Sequence, residues 1–278
     1  MKNKNPKVSV LMATWNRAAY IGQAIQSVLE QTFKDWELIV VDDGSTDNTP
    51  SVVAGWMKKD KRIKYVKLSH IGRIAIVSNA GLRETSGEYI AILDDDDWWP
   101  DKEKLKKQID FLDKNKDYVG CGGGFIVVDG EGKKKSRILK PESDGSIRKT
   151  ALCANPVANS STVFRKSAAA KIGFYDETMT QFADWDFWLR IGKLGKLYNF
   201  PEYFLCYRMW EEGSSFTHQK QNADSAARIV KRYKNDYPGF LKALCLAYLY
   251  QAYARLPVFI RRALNSSLSL LKKLIFSR

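Results

Sequence analysis

The amino-acid sequence predicts an α/β fold, a mostly parallel sheet flanked by helices, and three observations carry that prediction. Short apolar runs rich in β-branched residues alternate with helix-like segments over residues 1–117. Their spacing is that of strand–helix–strand crossovers, which parallel pairing requires. Three of the strand-like runs also lead into polar clusters: Thr14-Trp15-Asn16-Arg17, Asp42-Asp43-Gly44-Ser45 and Asp94-Asp95-Asp96-Asp97. Right-handed crossovers put the C-terminal ends of these strands on one edge. Open α/β sheets bind their ligands along that edge, so the three clusters should meet there.

Residues 8–14 (VSVLMAT) read as a buried strand, and Ile21, Ile25, Val28 and Leu29 then recur at helical spacing. Residues 36–41 form a second strand, followed by a helix start near Thr46-Asp47, where either side chain can cap orphan N–H groups. A third strand spans 63–68, a helix 72–84 stops at Ser86-Gly87, and a fourth strand spans 88–93. Pro100 opens a charged helix that runs to about Asn115. Beyond residue 117, strand-like runs at 118–128, 161–164, 197–200 and 203–207 mix with glycine-rich and basic loops. Gly122-Gly123-Gly124 and residues 130–135 read as turns, and helices are expected at 166–172 and 184–194. Residues 240–254 are helical and apolar nearly all round. After Pro257, Leu264, Leu268, Leu271 and Ile275 line one face beside Lys272 and Lys273, a basic amphipathic helix. The organisation expected is one domain at 1–217, in halves 1–117 and 118–217, and a helical C-terminal extension at 218–278.

The chain has 278 residues, 45% of them hydrophobic, enough to bury a sizeable core. Its net charge of +14 calls for anionic partners: nucleic acid, an acidic membrane surface or phosphorylated small molecules. Part of that excess is C-terminal, because no Asp or Glu follows Asp236 while Lys242, Arg255, Arg261, Arg262, Lys272, Lys273 and Arg278 do. Cys121, Cys153, Cys206 and Cys245 are scattered, which suggests neither a zinc site nor a disulfide framework. His70 and His218 are too few for a histidine metal cluster. The first residues lack an apolar stretch and no run reaches ~18 apolar residues, so neither a signal peptide nor a transmembrane helix is expected. A cytoplasmic location follows as an expectation.

Four adjacent carboxylates repel one another unless a cation joins them, and hard divalent cations prefer oxygen ligands. Mg²⁺ or Mn²⁺ shared between one or two of these aspartates and substrate phosphates suits the run better than an all-protein cage. A solvated acidic turn is the plain alternative. Trp98 and Trp99, expected to be exposed beside the acids, favour a site. Asp42 or Asp43 can accept from a base N–H or a ribose hydroxyl, or simply cap a turn. Arg73 can neutralise a diphosphate, or stay a surface charge. Asp184, beside Trp185 at a helix start, is placed either to cap that helix or to take a proton from a hydroxyl.

Taken in order, VSVLMATWNR, QAIQSVLEQTFKDWELIVVDDGSTDNT, NAGLRETSGEYIAILDDDDWWP, DWDFWLR and YRMWEEGSS resemble family 2 glycosyltransferases over about residues 7–217. The resemblance implies an inverting enzyme of the Rossmann-like GT-A fold, whose catalytic domain would occupy 1–217, using a nucleotide-sugar donor and Mn²⁺ or Mg²⁺. It implies that Thr14, with Asn16 and Arg17 beside it and with Asp42 or Asp43, holds the nucleotide. Arg73, six residues before Asn79, matches an arginine that approaches the diphosphate. Asp94 and Asp96 match the outer members of a D-x-D motif, Asp96 as direct metal ligand and Asp95 toward the ribose or sugar. Asp184 matches the catalytic base, and Gly213-Ser214-Ser215 a loop that closes near the diphosphate. The pattern departs at Trp210, where many members carry a histidine; His218 is the substitute within reach in sequence. UDP is the family's common nucleotide, and the expected acceptor is a glycan or lipid-linked saccharide of the cell surface. The basic tail would then rest on the inner leaflet. A nucleotidyltransferase would carry a glycine-rich loop after the first strand, where ATWNRAAY stands instead. A nucleic-acid binder would want a basic, aromatic face, and the ligand edge is acidic.

Overall fold

The computed structural model describes residues 5–209, 218–257 and 260–261. The first half runs β1 (Val8–Thr14), α1 (Ile21–Leu29), β2 (Trp36–Asp42), α2 (Thr49–Lys59), β3 (Ile63–Lys67), α3 (Ile74–Glu84), β4 (Tyr89–Ile92) and α4 (Lys104–Lys114). The second half adds β5 (Tyr118–Val128), β6 (Lys134–Ile138), α5 (Asp144–Thr150), β7 (Val163–Arg165), α6 (Lys166–Lys171), α7 (Ala183–Gly192), β8 (Lys196–Arg208), α8 (Gln219–Arg232) and α9 (Phe240–Arg255). One sheet joins them in the order β3-β2-β1-β4-β7-β5-β6, with β8 also paired to β5. The first four strands are mutually parallel, β8 is parallel to β5, and β7 runs antiparallel between β4 and β5.

The expected α/β class is therefore observed, and its physical basis is burial on both faces. Val8, Val10 and Met12 of β1 pack with Ile21, Ile25 and Val28 of α1 and Leu105, Ile109 and Leu112 of α4. The intervening Leu11 faces the other way, with Ile39 and Val41, onto Ala75, Val77 and Leu82 of α3. Strands sandwiched in this way need apolar side chains at successive positions, which is why β1 and β2 read as continuous runs.

Several boundaries differ from the expectation. The charged helix starts at Lys104 rather than Pro100, because the preceding segment is held across loops: Gln31 Nε2 donates to the Asp101 carbonyl (2.9 Å) and the Thr32 amide to the Lys102 carbonyl (2.9 Å). The runs at 197–200 and 203–207 are parts of a single strand, β8, whose pairing with β5 shifts register near Gly123 and Gly124. Gly122-Gly123-Gly124 is not a turn but the interior of β5. Side chains there would collide: a Cβ at Gly123 would lie 2.6 Å from the Phe204 ring and one at Gly124 2.8 Å from the Ile138 carbonyl. Trp99 is buried at 3% exposure rather than displayed beside the acids, and its indole donates to the Ser160 carbonyl (2.7 Å). Strand β6 and helix α5 were not expected, whereas α8 and α9 fall within the helical extension expected from residue 218.

Helix α8 packs Ala226, Ala227, Ile229 and Val230 against Trp185 and Leu189 of α7 and Ala243 and Ala247 of α9. A buried carboxylate fastens this junction. Asp186, fully buried, accepts from Arg190 Nε (2.6 Å), Arg232 Nη1 (3.0 Å) and the Tyr233 hydroxyl (2.6 Å). On the outer face of α9, Leu241, Tyr248 and Leu249 are exposed. No helix among the described residues is long and apolar enough to cross a membrane. The amphipathic segment expected at 264–275 lies outside the described residues. The four cysteines are unpaired.

Candidate active site

Strand register brings the three polar clusters to one edge. Thr14 pairs with Asp42, so β1 and β2 end together, and Ile92, the last residue of β4, pairs with Leu11, so the aspartate run that follows starts alongside the end of β1. The loops after β1 and β2 are tied together by Asn16. This residue has a positive φ of 53°; its side-chain oxygen accepts from the Thr46 amide (2.8 Å) and its own amide donates to Ser45 Oγ (2.8 Å). Asn tolerates this left-handed conformation better than most side chains. Gly44 has φ 72°, and a Cβ there would lie 2.7 Å from the His70 backbone nitrogen. Only glycine lets the two loops approach so closely.

The two aspartates after β2 do different work. Asp42 is fully buried and accepts from the Ser45 amide (2.8 Å) and the Tyr65 hydroxyl. Asp43 instead organises the next loop, accepting from the Ile71 amide (2.7 Å) and the Gly72 amide (2.8 Å). That loop stacks His70 on Trp15, with ring centroids 4.7 Å apart. Trp15 is 46% exposed, so the stack is a flat aromatic surface beside Asp43. Arg73 donates to the Glu177 carbonyl and is not brought to the aspartate run. Asn79 is buried, and its amide donates to the Tyr175 carbonyl (2.9 Å) and to Glu177 (2.9 Å). Its role in this fold is to fasten the 175–177 segment to α3.

The four adjacent acids have four different environments. Asp94 accepts from the Ser160 hydroxyl (2.6 Å), and burial pushes its carboxyl up to about 6 against that bond, helped by Asp96 and Asp184. Asp95 is pushed to about 8 by burial and by Asp96, opposed by the Thr14 hydroxyl and Arg17. Arg17 Nε lies 3.7 Å from Asp95 and 3.9 Å from Asp96. Asp97 is 1% exposed and accepts from the Arg208 amide (2.9 Å); burial and the neighbouring acids hold it well above the usual carboxylate range. Arg208 also donates through Nε to the Asp96 carbonyl (3.0 Å), fixing the run from the β8 side. Sequence reasoning passed over both Ser160 and Arg208. A lone serine gives no signal, and Arg208 appeared only as one letter of a motif.

Beside this edge opens a cleft of about 660 Å³ lined by Asp94, Ser160, Asn155, Asp184, Lys140 and Tyr175, among others. Asp184 is the second residue of α7 and not its cap, which is Phe182. Burial raises its carboxyl, against the N–H groups of the first helical turn, Asn155 and Lys140. Asn155 Nδ2 donates to Asp184 Oδ2 (2.7 Å), and Lys140 Nζ donates to the Asn155 carbonyl (2.9 Å). Asn155 and Lys140 lie in irregular segments with no motif spacing, so nothing in the sequence marked them. His218 also lines the cleft. Trp210 and Gly213, Ser214 and Ser215 lie outside the described residues.

Among the described residues no three His, Cys, Asp or Glu side chains converge as a metal cage. The acids nonetheless suit a hard cation. They crowd at the edge with carboxyls held above their ordinary range, and a cation relieves that repulsion. A Mg²⁺-like ion takes few protein ligands and fills its shell with water and phosphate oxygens.

Residues 9–173 match the family model described as Glycosyl transferase family 2, and the chain belongs to that family. EpsE of Bacillus subtilis (strain 168), named as a glycosyltransferase, is 32% identical over 261 residues, covering 89% of this chain and 91% of that one. TuaG of the same organism, named for teichuronic acid biosynthesis, is 36% identical over 154 residues, 54% of this chain and 60% of that protein. Among solved structures, S. aureus TarS 1-349 in complex with UDP-GlcNAc superposes with a TM-score of 0.65 over 86% of this chain and 70% of that one, at 19% identity. The mannosyltransferase PcManGT from Pyrobaculum calidifontis, in complex with GDP-Man and Mn²⁺, gives 0.67 over 97% and 81%, also at 19% identity. The fold is GT-A, and the chain is a family 2 glycosyltransferase.

The acid cluster makes a pH-dependent prediction. Asp94 and Asp95 hold protons in the folded state at pH values where the unfolded chain has lost them. Without a cation, stability therefore falls as pH rises from about 4 through 8. A divalent ion must displace those protons, so it binds better as pH rises. The melting-temperature increment from Mn²⁺ should be larger at pH 8 than at pH 5, and Asp96→Asn should shrink it. An increment independent of pH would count against cation binding at these acids.

Proposed function

We propose that this glycosyltransferase moves a sugar, with inversion, from a nucleotide diphosphate, UDP in the first instance, to an acceptor hydroxyl. The observation that carries this reading is the single cleft shared by Asp94, from the aspartate run, and Asp184, from α7. Residues 1–117 form the nucleotide half and 118–217 the acceptor half. The Trp15–His70 stack and Asp43 offer an aromatic face and a carboxylate to a base and ribose, with Thr14 and Arg17 beside them. Asp42, Asn16 and Asn79 support this half by fixing its loops. Asp95 would face the ribose or sugar and Arg73, leaving its contact with Glu177, the diphosphate; Ser214 and Ser215, outside the described residues, would be further donor contacts. Asp96 and Asp94 would hold Mn²⁺ or Mg²⁺, which when bound neutralises charge on the diphosphate.

On the acceptor side Asp184 takes the hydroxyl proton. The hydroxyl oxygen then bonds to the anomeric carbon as the bond from that carbon to the diphosphate oxygen breaks on the opposite face. A carboxyl raised by burial is a better proton acceptor than a solvated one, and Asn155 and the N–H groups of the first turn of α7 hold it in place. The relatives support a hexosyl or N-acetylhexosaminyl donor and a cell-surface polysaccharide or other glycan product: TarS was solved with UDP-GlcNAc and TuaG is named for teichuronic acid biosynthesis. The acceptor is then a glycan or lipid-linked saccharide.

The C-terminal extension favours a peripheral position on the inner leaflet. Exposed Leu241, Tyr248 and Leu249 on α9 lead into a stretch with seven cations and no acid after Asp236. Each basic residue near an anionic surface contributes about 1 kcal/mol. The full chain should co-sediment with vesicles containing anionic lipid, and deleting residues 257–278 should release most of it. Equal sedimentation of both forms would remove the tail from this role. For the chemistry, Asp184→Asn should lower turnover by roughly 10²–10⁴-fold while nucleotide-sugar affinity stays within about twofold. The donor is first chosen by screening nucleotide sugars with Mn²⁺. Wild-type turnover in Asp184→Asn would disprove the base assignment.

A further inference from the structure

We propose that the acceptor half of the cleft is built to take an anionic group, a carboxylate or phosphate on the acceptor saccharide, and that Lys140 receives it. The inference rests on the reading of the cleft as the acceptor site. Lys140 follows β6 and lines the same cleft as Asp184. Its ammonium has three N–H donors, of which one is used, on the Asn155 carbonyl at 2.9 Å. Among the described residues no carboxylate forms an ion pair with its nitrogen, whereas Arg148 has Asp144 and Arg190 has Asp186. Burial draws its ammonium down to about 8, with Asp184 opposing the fall, so it is largely charged near pH 7.

A desolvated cation without a counter-ion carries a cost. Lys104 meets it inside the core, on Gln108 and the Trp99 ring, whereas Lys140 lines an open cleft with two N–H donors unused. Asp184 favours the charged ammonium through space, but the two form no direct ion pair. Asn155 stands between them, its carbonyl engaged by Lys140 and its amide by Asp184. That single residue sets the spacing between the cation and the base. An acceptor whose anionic group sits on Lys140 would therefore have its hydroxyl registered against Asp184. Charge-assisted bonds in such a site are strong and geometrically selective. Lys140 is thus a specificity residue rather than a catalytic one.

The test is ligand-observed NMR titration of the full chain with UDP and diamagnetic Mg²⁺ present, so that a phosphate probe does not report the donor side. The probes are methyl glucuronide, a methyl glycoside phosphate and neutral methyl glucoside. Wild type should bind at least one anionic probe about tenfold or more tightly than the glucoside, and which one identifies the group. Lys140→Gln should abolish that preference without changing glucoside affinity, and Lys140→Arg, which keeps the charge, should retain it. Equal affinities in wild type, or a preference that survives in Lys140→Gln, would overturn the proposal. Should Lys140 act only on Asp184, Lys140→Gln would shift the pH profile of turnover and leave the probe preference intact. The proposed transfer reaction fails separately, by loss of UDP binding or by an active Asp184→Asn.

Discussion

The burial of four adjacent carboxyls, Asp94–Asp97, against one another at a strand end is the constraint around which this molecule is arranged. Two unit charges ~4 Å apart at an effective dielectric of about 20 interact by about 4 kcal/mol, and four carboxylates follow one another here at the end of a buried strand. The fold meets this by giving each acid a different neighbour. Ser160 donates to Asp94, Arg17 lies near Asp95 and Asp96, and the Arg208 amide donates to Asp97. What remains is a set of carboxyls held above their ordinary range, by burial first and by one another second. In the proposed function a divalent cation, shared with the donor's diphosphate, would relieve that crowding, which ties the electrostatics of the fold to the chemistry of a nucleotide-sugar enzyme.

A polar layer beneath the acids keeps them in place. The Trp99 indole holds the Ser160 carbonyl, and Gln108 holds that of Ser161 (2.9 Å). Lys104, fully buried, donates to Gln108 (2.7 Å) and lies over the Trp99 ring at 3.8 Å from its centroid. Burial lowers this lysine to about 7. On the other side of the cleft, Asp186 fastens α7 to α8 and so fixes the helix that presents Asp184. Both walls are thus preorganised by buried groups outside the cleft, which is how an enzyme avoids reorganisation during reaction.

The first half was legible because periodicity and strand-end chemistry agree. Apolar runs at 8–14 and 36–41 match strands to within a residue, and their registers align Thr14 with Asp42. The second half was less so. Gly122-Gly123-Gly124 looks like a turn by composition, yet close packing against Phe204 and the Ile138 carbonyl demands glycine inside a strand. Trp99 next to four acids looks like a displayed ring, yet it is a core residue. Asn155, Ser160, Lys140 and Arg208 reach the site through tertiary contacts at sequence separations that no local pattern encodes. Asp184 stands out in sequence as part of a motif, whereas the role of Asp186, two residues on, depends on the packing of α8.

The central claim is that the aspartate run, and not another acidic patch, holds the cation that joins donor to protein. Anomalous diffraction at the manganese edge, from crystals grown with Mn²⁺ and UDP, tests it most directly. The account predicts one strong peak about 2.1 Å from a carboxylate oxygen of Asp96 or Asp94 and in contact with the diphosphate. UDP bound with no manganese there, or with manganese held by other side chains, would contradict it.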